Sequence, residues 1–102
     1  LDKARQLIKQ FIQKYVDISS RQQKDEVEEF VVFDEKNDKY FWITWGWTEK
    51  KRLKAVQIFV QIKDGKIWVQ EDWTDEGIAN FLVENGIAKD QIVLGFQAPQ
   101  MR

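Results

Sequence analysis

Apolar residues recur along the chain with two different periods, and the switch between them divides it into elements. At the start, Ala4, Leu7, Ile8, Phe11, Ile12 and Tyr15 keep a three- and four-residue spacing, with Lys3, Arg5, Lys9, Gln10, Gln13 and Lys14 filling the other side. This spacing predicts an amphipathic helix with one buried stripe, begun by Asp2 as N-cap. The stretch SSRQQKDE, Ser19 to Glu26, is polar throughout and reads as a linker.

Beyond the linker the period shortens to two. The runs VEEFVVF, KYFWITWGW, LKAVQIFVQI and KIWVQED are rich in β-branched and aromatic residues, and the short polar turns DEKND, TEKK and DG separate them. They predict an antiparallel four-stranded meander. Asp64-Gly65 is the strongest local signal, a two-residue type I′ turn that sets the register of its hairpin. Ile62 then faces Ile67, Val60 faces Val69 and Gln61 faces Trp68. On this register Val56, Ile58, Val60, Ile62, Ile67 and Val69 share a core face. Gln57, Phe59, Gln61, Trp68 and Gln70 share the other.

A second helical pattern follows. Thr74 is the expected N-cap, with Asp75 and Glu76 in the first turn and Ile78, Phe81 and Leu82 as the buried stripe. Gly86 ends it, and Ile87 folds back on Leu82 in a Schellman arrangement. QIVLGF is a short run suited to a last strand. The expected fold is therefore α+β: N-terminal helix, antiparallel four-stranded meander, second helix, short C-terminal strand. Residues 1–96 form a single domain and residues 97–102 a loose tail.

Composition narrows the chemistry. The chain has no histidine and no cysteine, which removes the commonest general base, thiolate nucleophiles, disulfides and zinc sites built on those ligands. Absent cysteine suits a cytoplasmic location. Hydrophobic content of 43% and charged content of 32% are ordinary for a globular domain, and no apolar run approaches the length of a membrane span. Net charge is −1. It is unevenly spread: residues 1–70 hold 14 Lys/Arg and 11 Asp/Glu, while residues 71–90 hold one Lys and six acids. This balance calls for neither a nucleic-acid nor a membrane partner.

The second half of the chain, DGKIWVQEDWTDEGIANFLVENGIAKDQIVLGF, preceded by Gly46-Trp47 and FDEKNDKY, resembles the XisI family, the fdxN-element excision controlling factors. The likeness runs from the first helix to about Phe96. It implies a small cytoplasmic, mostly cyanobacterial protein that controls developmental, site-specific excision of a DNA element. It also implies a companion, the XisH-like protein, no cofactor, and no catalytic residues to carry over. The sequence departs from the family pattern at Trp73, commonly Gly, at Ala88, commonly Pro, and at Gln97, commonly His. The family's usual tail beyond that point is missing.

Three sets of residues are candidates for function. The basic turn Lys50, Lys51, Arg52 and Lys54 could meet DNA phosphates, but in a meander it shares an end of the sheet with the acidic start of the second helix, which would offset it. Two carboxylate arrangements suggest a metal: the cluster QEDWTDE, and Asp34 with Glu49 and Lys51. The first reads as helix-start acids and the second as a chance pattern. Catalysis is accordingly not expected. The third set comes from YFWITWGW, Tyr40 to Trp47, a strand apolar on both faces. Two helices can cover only one of them. Trp68, Phe59 and Trp42 or Tyr40 are therefore expected to form a protein contact surface, for the companion or for a homo-oligomer.

Overall fold

The computed structural model describes residues 1–21 and 26–102. Its main elements are α1 (Asp2–Ser20), β1 (Val27–Asp34), β2 (Lys39–Thr48), β3 (Lys51–Lys63), β4 (Lys66–Asp72), α2 (Ile78–Glu84) and β5 (Ile92–Leu94). The five strands form one sheet whose spatial order is the chain order. The first four pair antiparallel, while β5 lies parallel to β4. A parallel neighbour needs a crossover, and α2 provides it. The expected four-stranded antiparallel meander is thus part of a five-stranded mixed sheet, with the short last strand paired in parallel at its edge.

α1 buries Ala4, Ile8, Phe11 and Ile12 of the expected stripe and adds Val16, while Leu7 and Tyr15 are half-buried beside it; Leu1, not Asp2, is its N-cap. The helix runs on through Ser19 and Ser20, which the sequence placed in the linker, and residues 22–25 of that linker lie outside the described residues. α1 and α2 cover the same face of the sheet, over Tyr40, Trp42, Ile58, Val60, Ile67 and Val69. Phe11 joins the helices, its ring 4.7 Å from Tyr15 and 5.0 Å from Phe81.

Polar contacts hold α1 to the sheet. Arg5 donates to both carboxylate oxygens of Asp38 at 2.7 and 3.0 Å, and Lys9 reaches Glu35 at 2.6 Å. Glu29 accepts from Ser19 Oγ at 2.9 Å and from Trp42 Nε1 at 3.1 Å. Tyr15 donates its hydroxyl to Glu76. Each buried polar group on this side thereby finds a partner, which a covered sheet face requires.

The Asp64-Gly65 turn forms as expected, with φ of 54° and 74°. It pairs Ile62 with Ile67, Gln61 with Trp68 and Val60 with Val69. Further from the turn, two bulges change the faces. Trp42 pairs with Ile58 but Ile43 pairs with Val56, so Gln57 is the extra residue. Gln57 turns to Thr44, donating to its hydroxyl at 3.3 Å, and Val56 is moved off the core face to 38% exposure. A bulge inserts one residue and so reverses the alternation beyond it. Val56 therefore leaves the core set the sequence assigned it to, and Gln57 leaves the opposite set.

The start of α2 also differs from expectation. Gly77 is the N-cap, and Thr74 lies in the loop before it. Asp72 organises this loop: its carboxylate accepts from Thr74 N at 2.9 Å, Thr74 Oγ1 at 2.6 Å and Ile78 N at 2.7 Å. Asp75 and Glu76 precede the helix rather than filling its first turn. The far end follows the sequence: Ile87 N bonds to Leu82 O at 3.0 Å and Gly86 N to Val83 O at 3.1 Å, the paired bonds of a Schellman motif.

β2 and β3 outrun their neighbour. β4 ends at Asp72, opposite Ile58, while β3 begins seven residues earlier at Lys51. At about 3.4 Å per residue the β2–β3 hairpin projects roughly 24 Å beyond the end of β4. The tail, expected to be loose, is exposed but makes a 3₁₀ turn, Pro99–Met101, and returns Arg102 to the Gly95 carbonyl at 3.0 Å.

Candidate protein interface

The side of the sheet away from the helices is uncovered, and its residues stand in transverse rows set by strand register. One row is Val32, Phe41, Phe59; the next is Phe30, Ile43, Val56. Phe41 and Phe59 stack with ring centres 4.4 Å apart and 10° between planes. Flanking these apolar rows is Glu28, Trp45, Lys54 on one side and Asp34, Lys39, Gln61, Trp68 on the other. Exposure of 36–46% at Phe30, Val32, Trp45, Trp47 and Val56 shows that nothing in the described residues covers the patch.

Two of the four residues expected at an interface lie here, and two do not. Phe59 and Trp68 are on the open face. Tyr40 and Trp42 are on the other, 0% and 8% exposed beneath α1. The parity of β2 decides this: Tyr40, Trp42 and Thr44 face the helices, so Phe41, Ile43, Trp45 and Trp47 face out. Phe41, directly opposite Phe59 on β2, is its ring partner rather than Trp68, and on the other side a second bulge at Gln70 puts Glu71 opposite Phe59. The sequence reading also passed over Phe30 and Val32, although their alternation with Glu29 and Val31 in VEEFVVF carried the signal.

Trp68 sits at the edge of the patch between two cations, with Lys63 Nζ 4.4 Å and the Arg102 guanidinium 5.4 Å from its ring. Its Nε1 is buried with no hydrogen-bond partner among the described residues. At the other end Arg52 lies over both Trp45 and Trp47, 4.7 and 5.5 Å from their centroids. These stacks use the guanidinium's flat face and leave its edge free to donate.

The basic residues of the projecting hairpin are placed differently from expectation. Only Glu49 and Lys50 form the turn; Lys51, Arg52 and Lys54 belong to β3. The acids before α2 begin level with Ile58, so the overhang separates them from Lys51 by roughly 24 Å. That is well beyond the ~8 Å screening length at physiological salt, and the acids do not offset the basic residues.

The two metal-like arrangements are dispersed. Asp34 pairs with Lys39 at one end of β2, and Lys51 with Thr48 at the other, so Asp34 is roughly 30 Å from Glu49 and Lys51. In the QEDWTDE cluster, Asp72 is engaged by three donors, Glu71 accepts from Trp73 Nε1 at 3.0 Å, and Glu76 accepts from Tyr15. No group of acids among the described residues is disposed to hold a metal ion.

Fold and face together define a class: a small α+β protein that spends two helices on one side of a sheet and presents the other. The chain belongs to the XisI family, whose model, described as XisI protein, matches residues 1–102. It is similar to the crystal structure of the fdxN element excision controlling factor XisI from Anabaena variabilis, with 38% identity, a TM-score of 0.85, and coverage of 96% of this chain and 93% of that one. It is also similar to a XisI-like protein from Anabaena variabilis, with 36% identity, a TM-score of 0.89, and coverage of 98% and 90%. No curated protein matches the chain. Among the described residues no helix is long and apolar enough to cross a membrane.

Proposed function

We propose that this chain is a control factor for excision of a DNA element, that it performs no catalysis itself, and that it works through protein contacts made by the open face of its sheet. Membership of the XisI family supports the first part, since the similar Anabaena protein is an excision controlling factor. The single observation that carries the mechanism is the pair of uncovered apolar rows around Phe41 and Ile43. A contiguous exposed apolar patch on a small protein marks a contact site. The companion XisH-like protein is the partner in the excision system.

The test is an excision reporter in cells lacking the chain. Wild-type protein should restore control, and Val32→Asp should abolish it at equal protein level. Restoration by Val32→Asp removes the open face from the mechanism. Incubation of the purified protein with plasmid and Mg²⁺ should leave the DNA intact; cleavage lost in Glu49→Gln would overturn the non-catalytic reading.

A second reading rests on the basic hairpin, which stands clear of the acids before α2: direct DNA contact by Lys50, Lys51, Arg52 and Lys54. It predicts duplex binding that weakens steeply with salt and is lost in Lys50→Ala/Lys51→Ala. Salt-independent or absent binding dismisses it.

A further inference from the structure

The open face carries a charge pattern that specifies an occupant. Strand β1 contributes acids to this face, Glu28 and Asp34, at its two ends. Strand β3 contributes bases, Arg52 and Lys54 at one end and Lys63 at the other. Between them β2 supplies Phe41 and Ile43, with Lys39 at its end. An acidic strand on one flank, a basic strand on the other and an apolar strand in the middle is a self-complementary surface.

We propose that the open face packs against the same face of a second copy, with the two-fold axis running along β2. This rests on the reading of that face as a protein contact and names its partner. Rotation about β2 carries β1 of each copy over β3 of the other. Glu28, Trp45 and Lys54 form one row, so Glu28 of one copy meets Lys54 of the other, twice by symmetry. In the neighbouring rows Phe30 meets Val56 and Val32 meets Phe59 in the same way.

The competing two-fold, perpendicular to the strands, is disfavoured by charge. It lays β1 over β1 with the ends reversed, so Glu28 of one copy lies over Asp34 of the other. Like charges facing across an interface oppose it, twice by symmetry, whereas the axis along β2 sets a single like pair, Lys39 over Lys39, at the end of the strand.

Area is that of a small interface. With the axis along β2, strands β1, β2 and β3 face their counterparts and β4 faces none. Three strands at about 4.8 Å spacing and the eight-residue rise from Lys39 to Trp47 at about 3.4 Å cover roughly 14 by 27 Å. That footprint of about 400 Å² in projection is larger in accessible area and lies toward the roughly 600 Å² per partner at the low end of stable interfaces. Aligned sheets pack face to face with side chains interdigitating about 10 Å apart, the geometry of a sandwich.

Sedimentation of the purified chain over a range of concentrations tests the proposal. The chain should sediment at twice its monomer mass, and Val32→Asp should be a folded monomer by circular dichroism. Glu28→Lys alone and Lys54→Glu alone should each weaken self-association about five- to tenfold. The double variant Glu28→Lys/Lys54→Glu should recover it. Tighter association in Glu28→Lys would overturn the axis, since that result belongs to the perpendicular arrangement. A wild-type monomer at all concentrations would overturn the dimer. If that monomer still binds the companion protein and loses it in Val32→Asp, the protein-contact function stands without the second copy.

Discussion

Arg5 grips Asp38 with two parallel hydrogen bonds of 2.7 and 3.0 Å, tying the first turn of α1 to the turn between β1 and β2. The guanidinium holds the Asp38 carboxyl below its ordinary pKa, and the Tyr40 hydroxyl adds to this with a 2.9 Å bond. Since the folded value is depressed, the stabilisation is fully present above the ordinary value of about 3.9 and fades as pH falls through the lower folded one. Asp38→Asn should lower the melting temperature at pH 7, and the deficit should shrink as pH falls and the native carboxyl takes up its proton. Calorimetry over a descending pH series checks this; a deficit that stays constant would mean that packing, not charge, is what the substitution disturbs.

The two tyrosines report from the alkaline side. The hydrogen bond to Glu76, followed by burial, raises Tyr15 to about 12, while burial, followed by the bond to Asp38, raises Tyr40 to about 12. Both phenols titrate near 10 when the chain is unfolded, so their contribution is intact below pH 10 and is lost as pH rises toward 12. These are the chain's only tyrosines, which makes phenolate absorbance a clean signal. It should rise together with loss of circular dichroism between about pH 10 and 12. Ionisation near pH 10 with the fold intact would show that the rings are accessible to solvent.

Gly46 and Gly65 should respond to alanine in different degrees. A Cβ on Gly46, whose φ is 142°, would run into the Glu26 carbonyl and the Val27 backbone, neither of which can rotate away. Gly65, at φ 74°, has open space around it. Gly46→Ala should cost about 2–4 kcal/mol, and Gly65→Ala about 1 kcal/mol. Denaturant titration of the two variants gives the comparison, and equal midpoints would refute the close approach.

Trp42 and Trp45 are three residues apart on one strand and on opposite faces. Trp42→Ala opens a cavity under α1 and removes one of the two donors to Glu29, so a loss of about 3–5 kcal/mol is expected. Trp45→Ala removes a ring that is 42% exposed and should change stability by less than about 1 kcal/mol. Denaturation midpoints of the two variants would contradict the assignment of faces if their order were reversed.

Local chemistry was legible in the sequence, and the effects of distant pairing were not. The spacing from Ala4 to Tyr15 marked α1, Asp64-Gly65 marked one hairpin's register, and Gly86 with Ile87 marked the end of α2, since each depends on a few neighbouring residues. The bulge at Gln57 depends on how β2 meets β3 a dozen positions away, and it alone moved Val56 outward. Asp72 displaced Thr74 as the organiser of α2 because its carboxylate reaches the backbone of Ile78, six residues on. For the candidate interface, the sequence showed that one apolar side would stay uncovered. Which side that is turned on the parity of β2, resolved only by where α1 docks.

Strand order equal to chain order has a consequence for assembly of the molecule. Each of β2, β3 and β4 can pair with the strand just before it, so the sheet grows by short-range closures, the kind that make folding fast. α1 is the exception, because it packs on β1 and β2 but also on α2, far along the chain. Its contact with the first strands needs only the start of the chain, while that of Phe11 with Phe81 closes across 70 residues. The two halves of its packing therefore carry very different loop-closure costs.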